Sequence, residues 1–225
     1  MLRIMLDTDR LRTSEALIGR ICARAGEGAS GQILIVPEQY SHTAERALCR
    51  TGGGTISRYA EVLSFTRLAS RLFSIYGGVC EEYLDKGGRL LSVYLAAEQV
   101  RPQLKYYAAV STKPEFLQRL GAAMEEFLSC CLAPEALREA ARSVSGQFAQ
   151  KLEELAILYE SYLSVCKSGR QDPVTRLQRA QALLQETDFA SEHIFYLDGF
   201  ADFTAVERQI LSELLRRSPE VELAL

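Results

Sequence analysis

Apolar and polar positions follow two different rules along this chain. Leu2-Arg3-Ile4-Met5-Leu6 reads as a first strand. "RTSEALIGRICARA" then sets Leu17, Ile21 and Ala25 at four-residue steps, one face of a helix, with Thr13 or Ser14 placed to cap it. "GEGASG" (26–31) is a loop before the apolar strand "QILIVP", and a second helix opens at Ser41 or Thr43 and runs through Leu48. "TGGG" is a turn, "TIS" (55–57) a brief strand, and "SFTRLASRLFSIYGG" a helix with a glycine stop. These strands are apolar throughout, not alternating, which predicts a parallel sheet covered on both faces.

After residue 85 the strand signal disappears and only helical periodicity remains. Phe116, Leu120, Met124, Phe127 and Cys131 form one stripe, with Cys130 and Cys131 read as helical, and Pro134 opens the next helix. Phe148, Leu152, Leu155, Tyr159, Tyr162 and Cys166 form the cleanest stripe in the chain and predict a buried helix face. "KSGRQDP" breaks it, and a further helix is expected over 173–185. The sheet pattern returns with 194–197, a helix over 204–217 and the terminal "EVELAL". The expectation is therefore an α/β core built from 1–85 and 186–225, interrupted by an all-helical insertion over 86–185. A chain that stops on a core strand is expected to be the N-terminal part of something longer.

Charge changes this picture little. The net charge of −3, with both signs mixed along 225 residues, gives no global basic field and argues against a free-standing DNA binder. "MLRIMLDTDR" carries charges where a signal peptide needs an apolar core, and no apolar run approaches the roughly 18–20 residues of a membrane span. The six cysteines (22, 49, 80, 130, 131, 166) contain no C-x-x-C pair, which predicts reduced thiols in a cytoplasmic protein without a metal site. His42 and His193 have no sequence partners that suggest a triad, and surface or capping roles are expected for both.

The candidate chemistry lies in "HIFYLDGFADFT" (193–204), a short apolar strand ending in Asp198, where a carboxylate could hold Mg²⁺. Two other segments, "ILIVPEQYSHTAERAL" and "VLSFTRLASRLF", precede it in order. With "FYLDGFADFTAVERQIL", and with "FLSCCLAPEAL" and "KLEELAILYESYL" inside the insertion, they resemble the N-terminal region of AddB/RexB-type proteins. These are the B subunits of bacterial heterodimeric ATP-dependent helicase–nucleases that process DNA double-strand ends. The resemblance implies a P-loop-NTPase-like, superfamily 1 helicase-like core (1A-like) with a 1B-like helical insertion. It also implies a partner, the helicase–nuclease A subunit, that binds ATP and Mg²⁺ and supplies the motor. DNA, as single strands or duplex ends, would be the other partner. A C-terminal region would carry an iron–sulfur cluster and a nuclease metal.

Against that template the chain has lost chemistry. A phosphate loop needs glycines whose N–H groups cradle phosphate, a lysine for the β- and γ-phosphates and a hydroxyl for Mg²⁺. Between Asp7 and Ser14 there is neither Gly nor Lys, and residues 1–85 contain no lysine at all. Asp7 and Asp9 place negative charge there instead, while Thr13 and Ser14 could keep the hydroxyl position or simply cap the helix. "GEGASG" lacks Lys, does not open a helix and reads as a linker. Active superfamily 1 helicases carry Asp-Glu-x-x-Asp at the later strand end, and here the same register reads Asp198-Gly199-Phe200-Ala201-Asp202. Gly199 cannot position a water, so a degenerate Walker B-like site is expected, with Asp202 and Thr204 starting the next helix. Ser41, Thr43, Ser64, Thr66 and Arg67 stand where the resemblance puts DNA-backbone contacts, although capping and a solvated face account for the same residues. The leading reading is a catalytically inactive scaffold and DNA-strand guide for break repair and recombination, held in a heterodimer with the A subunit. A divergent ATPase and a structural adaptor without DNA contact are the alternatives.

Overall fold

The computed structural model describes residues 1–7, 9–77, 83–168 and 172–224, with Arg10 and Ser168 described by backbone alone. In chain order the elements are β1 (Leu2–Met5), α1 (Arg10–Gly26), β2 (Gln32–Ile35), α2 (Ser41–Gly52), β3 (Ala60–Leu63) and α3 (Phe65–Tyr76). Then come α4 (Lys86–Val100), α5 (Pro114–Ser129), α6 (Pro134–Arg142), α7 (Gly146–Ser168), α8 (Thr175–Glu186), β4 (Ile194–Leu197), α9 (Ala205–Arg217) and β5 (Val221–Ala224). They form two compact units: Met1–Val79 with Leu177–Leu225, and Cys80–Arg176. The sequence boundary at 185 and this division differ by one helix. Ala180 and Leu184 of α8, four residues apart, are buried with Leu72, Phe189 and Ile210 in the core of the sheet unit.

In the sheet unit all strands pair in parallel, in the order β1-β5-β4-β2-β3, with Leu34 of β2 level with Val62 on one side and Tyr196 on the other. Alternate residues face opposite ways, as strand geometry requires. Ile33, Ile35, Leu63, Phe195, Leu197 and Val221 pack under α3, α8 and α9. Leu34, Val36, Val62, Tyr196 and Ala224 pack with Leu17, Ile21 and Leu48 of α1 and α2. The α/β parallel sheet expected from the sequence is present. The brief strand expected at 55–57 is instead a 3₁₀ turn, Ile56–Arg58, and the strand lies at Ala60–Leu63. Ile56 is a buried plug: a Cβ on Gly52 would lie 2.7 Å from its side chain.

Under α1 the sheet carries charge. Glu222 of β5 is fully buried, and Arg20 donates to it at 2.8 Å. The second Arg20 approach, Nε to Oε2 at 2.8 Å, is an ion-pair contact without an aligned hydrogen. Arg24 lies 3.3 Å from Glu222 and donates to Glu220 at 2.7 Å and to the Tyr196 hydroxyl at 2.9 Å. That hydroxyl donates to Gln32, whose amide reaches the Ile21 and Ala29 carbonyls. Burial pushes the Glu222 carboxyl up, Arg24 and Arg3 pull it down, and the net direction is upward.

The helical unit is built on α4, α5, α6 and α7. Packing against both α4 and α6 widens the buried arc of α7 beyond the predicted stripe. Tyr159, Tyr162 and Cys166 are buried as expected, together with Ala156 and Leu158. Leu152 and Leu155 are only half-buried, and Phe148 in the first turn is 58% exposed. A truncation at Leu155 therefore opens less of a cavity than one at Leu158. On α5 the buried line is Leu117, Leu120, Met124 and Leu128, with Phe116 and Phe127 at its margins. Cys130 and Cys131 leave the helix: Cys131 adopts φ 54°, and the Leu132 N–H donates to the Phe127 carbonyl at 2.8 Å, closing a Schellman turn. Asp172 accepts the Tyr162 hydroxyl at 2.7 Å and Arg89 at 2.9 Å, joining α4 and α7 to the segment before α8.

Glu154 of α7 is buried and accepts the backbone N–H groups of Lys105, Tyr106 and Tyr107 at 2.7–3.0 Å. Burial alone would raise its pKa, but those amides and the Gln150 side chain outweigh it, and the net shift is downward. A depressed folded-state pKa contributes stability that is present above the unfolded value and is lost as pH falls through the folded one. The helical unit is expected to weaken on acidification from pH 4.5 downward. Glu154→Gln should cost about 1–3 kcal/mol at neutral pH and flatten that acid dependence. Chemical denaturation followed by circular dichroism at several pH values reads both effects, and an unchanged acid slope would contradict the assignment.

Candidate functional site

Because every strand is parallel, the loops that follow β1, β2, β3 and β4 emerge at one edge of the sheet. β2 and β4 are neighbours, yet the chain leaves β2 for α2 on one face and β4 for α9 on the other. Ligands of open α/β sheets sit in the crevice where neighbouring strands diverge in this way. Here the crevice lies between Pro37–Tyr40 and Asp198–Phe203.

Asp198 is half-buried, and its N–H extends the ladder to the Ile35 carbonyl at 3.1 Å. Gly199 then turns to φ +80°, a conformation that L side chains rarely adopt, and a Cβ there would lie 3.4 Å from Pro37 Cδ. The Gly199 turn therefore runs beside Pro37 and Tyr40, which a Cβ there would meet at ordinary contact distance. Phe200 is buried next to it, stacked 4.8 Å from Phe203 and tilted 5.5 Å from Phe65. Asp202 faces solvent, its side chain 91% exposed; it accepts the next N–H, from Phe203, at 2.7 Å and lies 3.9 Å from the Arg208 guanidinium. The cap of α9 is Thr204, in a capping box with Glu207, so Asp202 is not the helix starter.

The loop after β1 is filled by its own carboxylates. Asp9 caps α1 and accepts the Leu11 N–H at 3.0 Å, while Asp7 accepts the Asp9 N–H at 3.0 Å. The helix thus starts earlier than predicted, and neither Thr13 nor Ser14 caps it. Thr13 is buried in the helix. Among the described residues no three His, Cys, Asp or Glu side chains converge as a metal-holding group.

The five residues proposed as DNA contacts divide into two kinds. Thr43, Thr66 and Arg67 are exposed, and Arg67 is paired with Glu45 of α2 at 2.6 Å. Ser41 and Ser64 are buried. Ser64 caps α3 through the Arg67 N–H at 3.2 Å and donates its hydroxyl to Glu38. Ser41 begins α2, and its hydroxyl has no hydrogen-bond partner. No pattern in the sequence singles out Glu38, Tyr40 or Glu45, yet they contact Ser64, flank Gly199 and hold Arg67 respectively. His42 is exposed, and His193 stacks on Phe189 at 4.3 Å with Nδ1 2.7 Å from the Phe189 carbonyl. An open cavity of about 530 Å³ lies along β3 between α2 and α3, bordered by Arg58, Arg71 and Glu61 and reaching back to Gly31 and His193 at the strand starts. It is therefore distinct from the crevice at Asp198. The described cysteines are free thiols, Cys80 lies outside the described residues, and no described helix is long and apolar enough to cross a membrane.

Residues 12–225 match the family model described as "ADDB, N-terminal". Curated relatives include the B subunit of the ATP-dependent helicase/deoxyribonuclease of Thermoanaerobacter sp. (strain X514), 29% identical over 194 residues that cover 86% of this chain and 17% of that protein. The Desulforudis audaxviator protein of the same name is 32% identical over 199 residues, again 86% and 17%. The Symbiobacterium thermophilum protein is 29% identical over 209 residues, 90% and 18%. The chain thus spans about a sixth of the length of these relatives.

Gly199→Ala is expected to destabilise the sheet unit by about 1–2 kcal/mol, since it forces an L residue into a left-handed conformation against Pro37. Gly19→Ala, in the middle of α1 with open space around it, should instead stabilise by about 0.5–1 kcal/mol. Urea denaturation of both variants makes the comparison. Equal effects would show that the 198–203 turn is not fixed as described.

Proposed function

This chain belongs to the AddB N-terminal family, and from that premise we propose that it is a helicase-like module that keeps a P-loop type of architecture without its ATP chemistry. Within the B polypeptide it would act as scaffold and DNA-strand guide, beside a partner that carries the motor, in the processing of DNA ends for repair and recombination. What supports the architecture is the relation of β1 and β4. A loop leads from the first strand into a helix, and an Asp ends another parallel strand at the same edge of the sheet.

The observation that carries the loss of chemistry is the start of α1. A helix N-terminus attracts a phosphate through its free N–H groups and its dipole. Here the Asp9 carboxylate, 3.0 Å from the Leu11 N–H, already takes that role from within the chain. Asp7 takes the N–H of Asp9 itself. A triphosphate would have to displace one carboxylate and lie beside two negative charges, with no lysine to offset them. At the other end of the site, the water-positioning place is held by Gly199, and a missing general base alone costs about 10²–10⁴ in rate. The two defects are independent. Calorimetry with Mg-ATP is expected to give no micromolar isotherm, and Gly199→Glu alone should give no ATPase activity with or without DNA. A micromolar isotherm abolished by Asp198→Ala would overturn the reading in favour of a divergent ATPase.

The buried, unpartnered Ser41 hydroxyl at the start of α2 favours an anion such as a DNA phosphate near that helix end. The Ser64–Glu38 and Arg67–Glu45 pairings favour instead a structural adaptor with no DNA contact. Binding of single-stranded DNA separates the two. The guide reading expects weak binding that falls with added salt as counterions are released, and that Arg67→Ala reduces for all sequences alike. Absence of binding at low salt would favour the adaptor.

A further inference from the structure

The helical unit gathers aromatic rings and lysines on one surface. The chain has five lysines, and three of them, Lys105, Lys113 and Lys151, belong to the segment between α4 and α5 and to the start of α7. Lys151 Nζ stands 4.6 Å from the centre of the Tyr106 ring. Tyr106 meets Tyr107 edge-on at 5.1 Å, and Tyr107 lies 5.1 Å from Phe116. Phe148 stands three positions before Lys151, which puts both side chains on one flank of α7.

This surface is fixed from below. Glu154 accepts the N–H groups of Lys105, Tyr106 and Tyr107, so a buried carboxylate holds the backbone under the Tyr106 ring. The ring itself is left 41% exposed, and Phe148 adds a second open ring. Its charge is also one-sided. Over residues 104–116 and 146–152 the sequence has three lysines and one acid, Glu115. Glu154, just beyond, is already taken up by the three amides. The net charge of −3 does not oppose this local excess, because screening at physiological salt confines exposed charges to a range of about 8 Å.

We propose that Tyr106 and Phe148, with Lys105, Lys113 and Lys151, form a binding site for single-stranded nucleic acid on the helical unit. The rings stack on bases, and the lysines meet the phosphates between them. Exposed rings alone would suit a protein partner equally; the excess of lysine over acid beside them selects a polyanion. Every base has a π-face, so the site holds a strand without reading its sequence. A ring fixed by its backbone also loses little freedom on binding, which favours stacking. The site rests on the reading of the chain as a DNA-strand guide. It adds to that reading a place of contact in a different unit from Ser41, Thr43, Ser64, Thr66 and Arg67.

The test uses the full-length protein with its partner subunit and a single-stranded oligonucleotide carrying 5-iodouracil, irradiated and mapped by mass spectrometry. The expected product joins uracil to Tyr106 or Phe148. Cross-links in the sheet unit with none at these two rings overturn the site and leave the guide reading standing. No cross-link anywhere in residues 1–225 sinks both. Substitution gives a second measurement. Tyr106→Ala should weaken binding about tenfold whatever the sequence, and Tyr106→Phe, which keeps the ring, should restore it. Lys151→Gln should take about 0.7 off the slope of log affinity against log salt. Unchanged affinity in Tyr106→Ala overturns the proposal, and so does a variant that binds DNA normally but loses its partner subunit, since the surface would then belong to a protein.

Discussion

Parallel pairing is the constraint on which the rest of the sheet unit depends. A parallel neighbour cannot be reached by a tight hairpin, so each strand is followed by a crossover, and the helices of those crossovers must cover the faces. β2 is therefore buried along its whole length, and its side chains alternate between two separate cores. The same constraint sends every strand-end loop to one edge. Asp198, Glu38, Ser64 and Asp7 share that edge because of chain direction, before any ligand is considered. It also leaves two strands with an open side, and the chain treats them in opposite ways, with charge at β3 and leucine and isoleucine at β1.

One place in this apolar arrangement is held by charge. Glu222, fully buried at the centre of the α1 face, is met by Arg20 and Arg24 from α1 and by Arg3 from β1 at 3.9 Å. A buried carboxylate deprived of its partner costs about 3–5 kcal/mol, so these contacts fix the rotation and position of α1 more strictly than Leu17 and Ile21 alone could. Apolar side chains tolerate sliding, whereas a charged hydrogen bond to a buried carboxylate does so far less. The position of the helix in turn fixes where Asp9 lies, and hence what occupies the loop after β1.

The sequence is most legible where periodicity is long or the strand fully apolar: β2, β4, α3, α7 and α9 appear close to their expected bounds. It fails where tertiary partners decide. β3 reads "AEVL" with Glu61 in its middle, and only its pairing with β2 makes it a strand. Asp9 reads as a misplaced charge, because nothing local distinguishes a capping Asp from Thr13 or Ser14 as rivals. The mutual pairings Glu38–Ser64 and Glu45–Arg67 join residues 26 and 22 positions apart, beyond the reach of any local pattern. α8 has apolar residues on several sides, and periodicity does not say which unit it joins. Phe148 continues a clean stripe into a first turn where its side chain is left 58% exposed.

The difference between an absent residue and a closed site decides how far the crevice stands from working chemistry. If Gly199 lay in an ordinary extended conformation, one substitution would place a carboxylate there without strain. Instead its positive φ makes the turn itself the obstacle, while a Cβ there would meet Pro37 only at ordinary contact distance. Phe200 follows, held between Phe65 and Phe203, so the path of the backbone from Asp198 to Thr204 is set by apolar packing and requires no ligand. The loop after β1 is closed by a different device, with carboxylates serving as the anions at a helix start. One end of this edge carries a left-handed turn packed by aromatic rings, and the other a helix start already capped by a carboxylate. On the proposed reading, this is why the sheet retains the outline of a nucleotide site while its interior has become part of the fold.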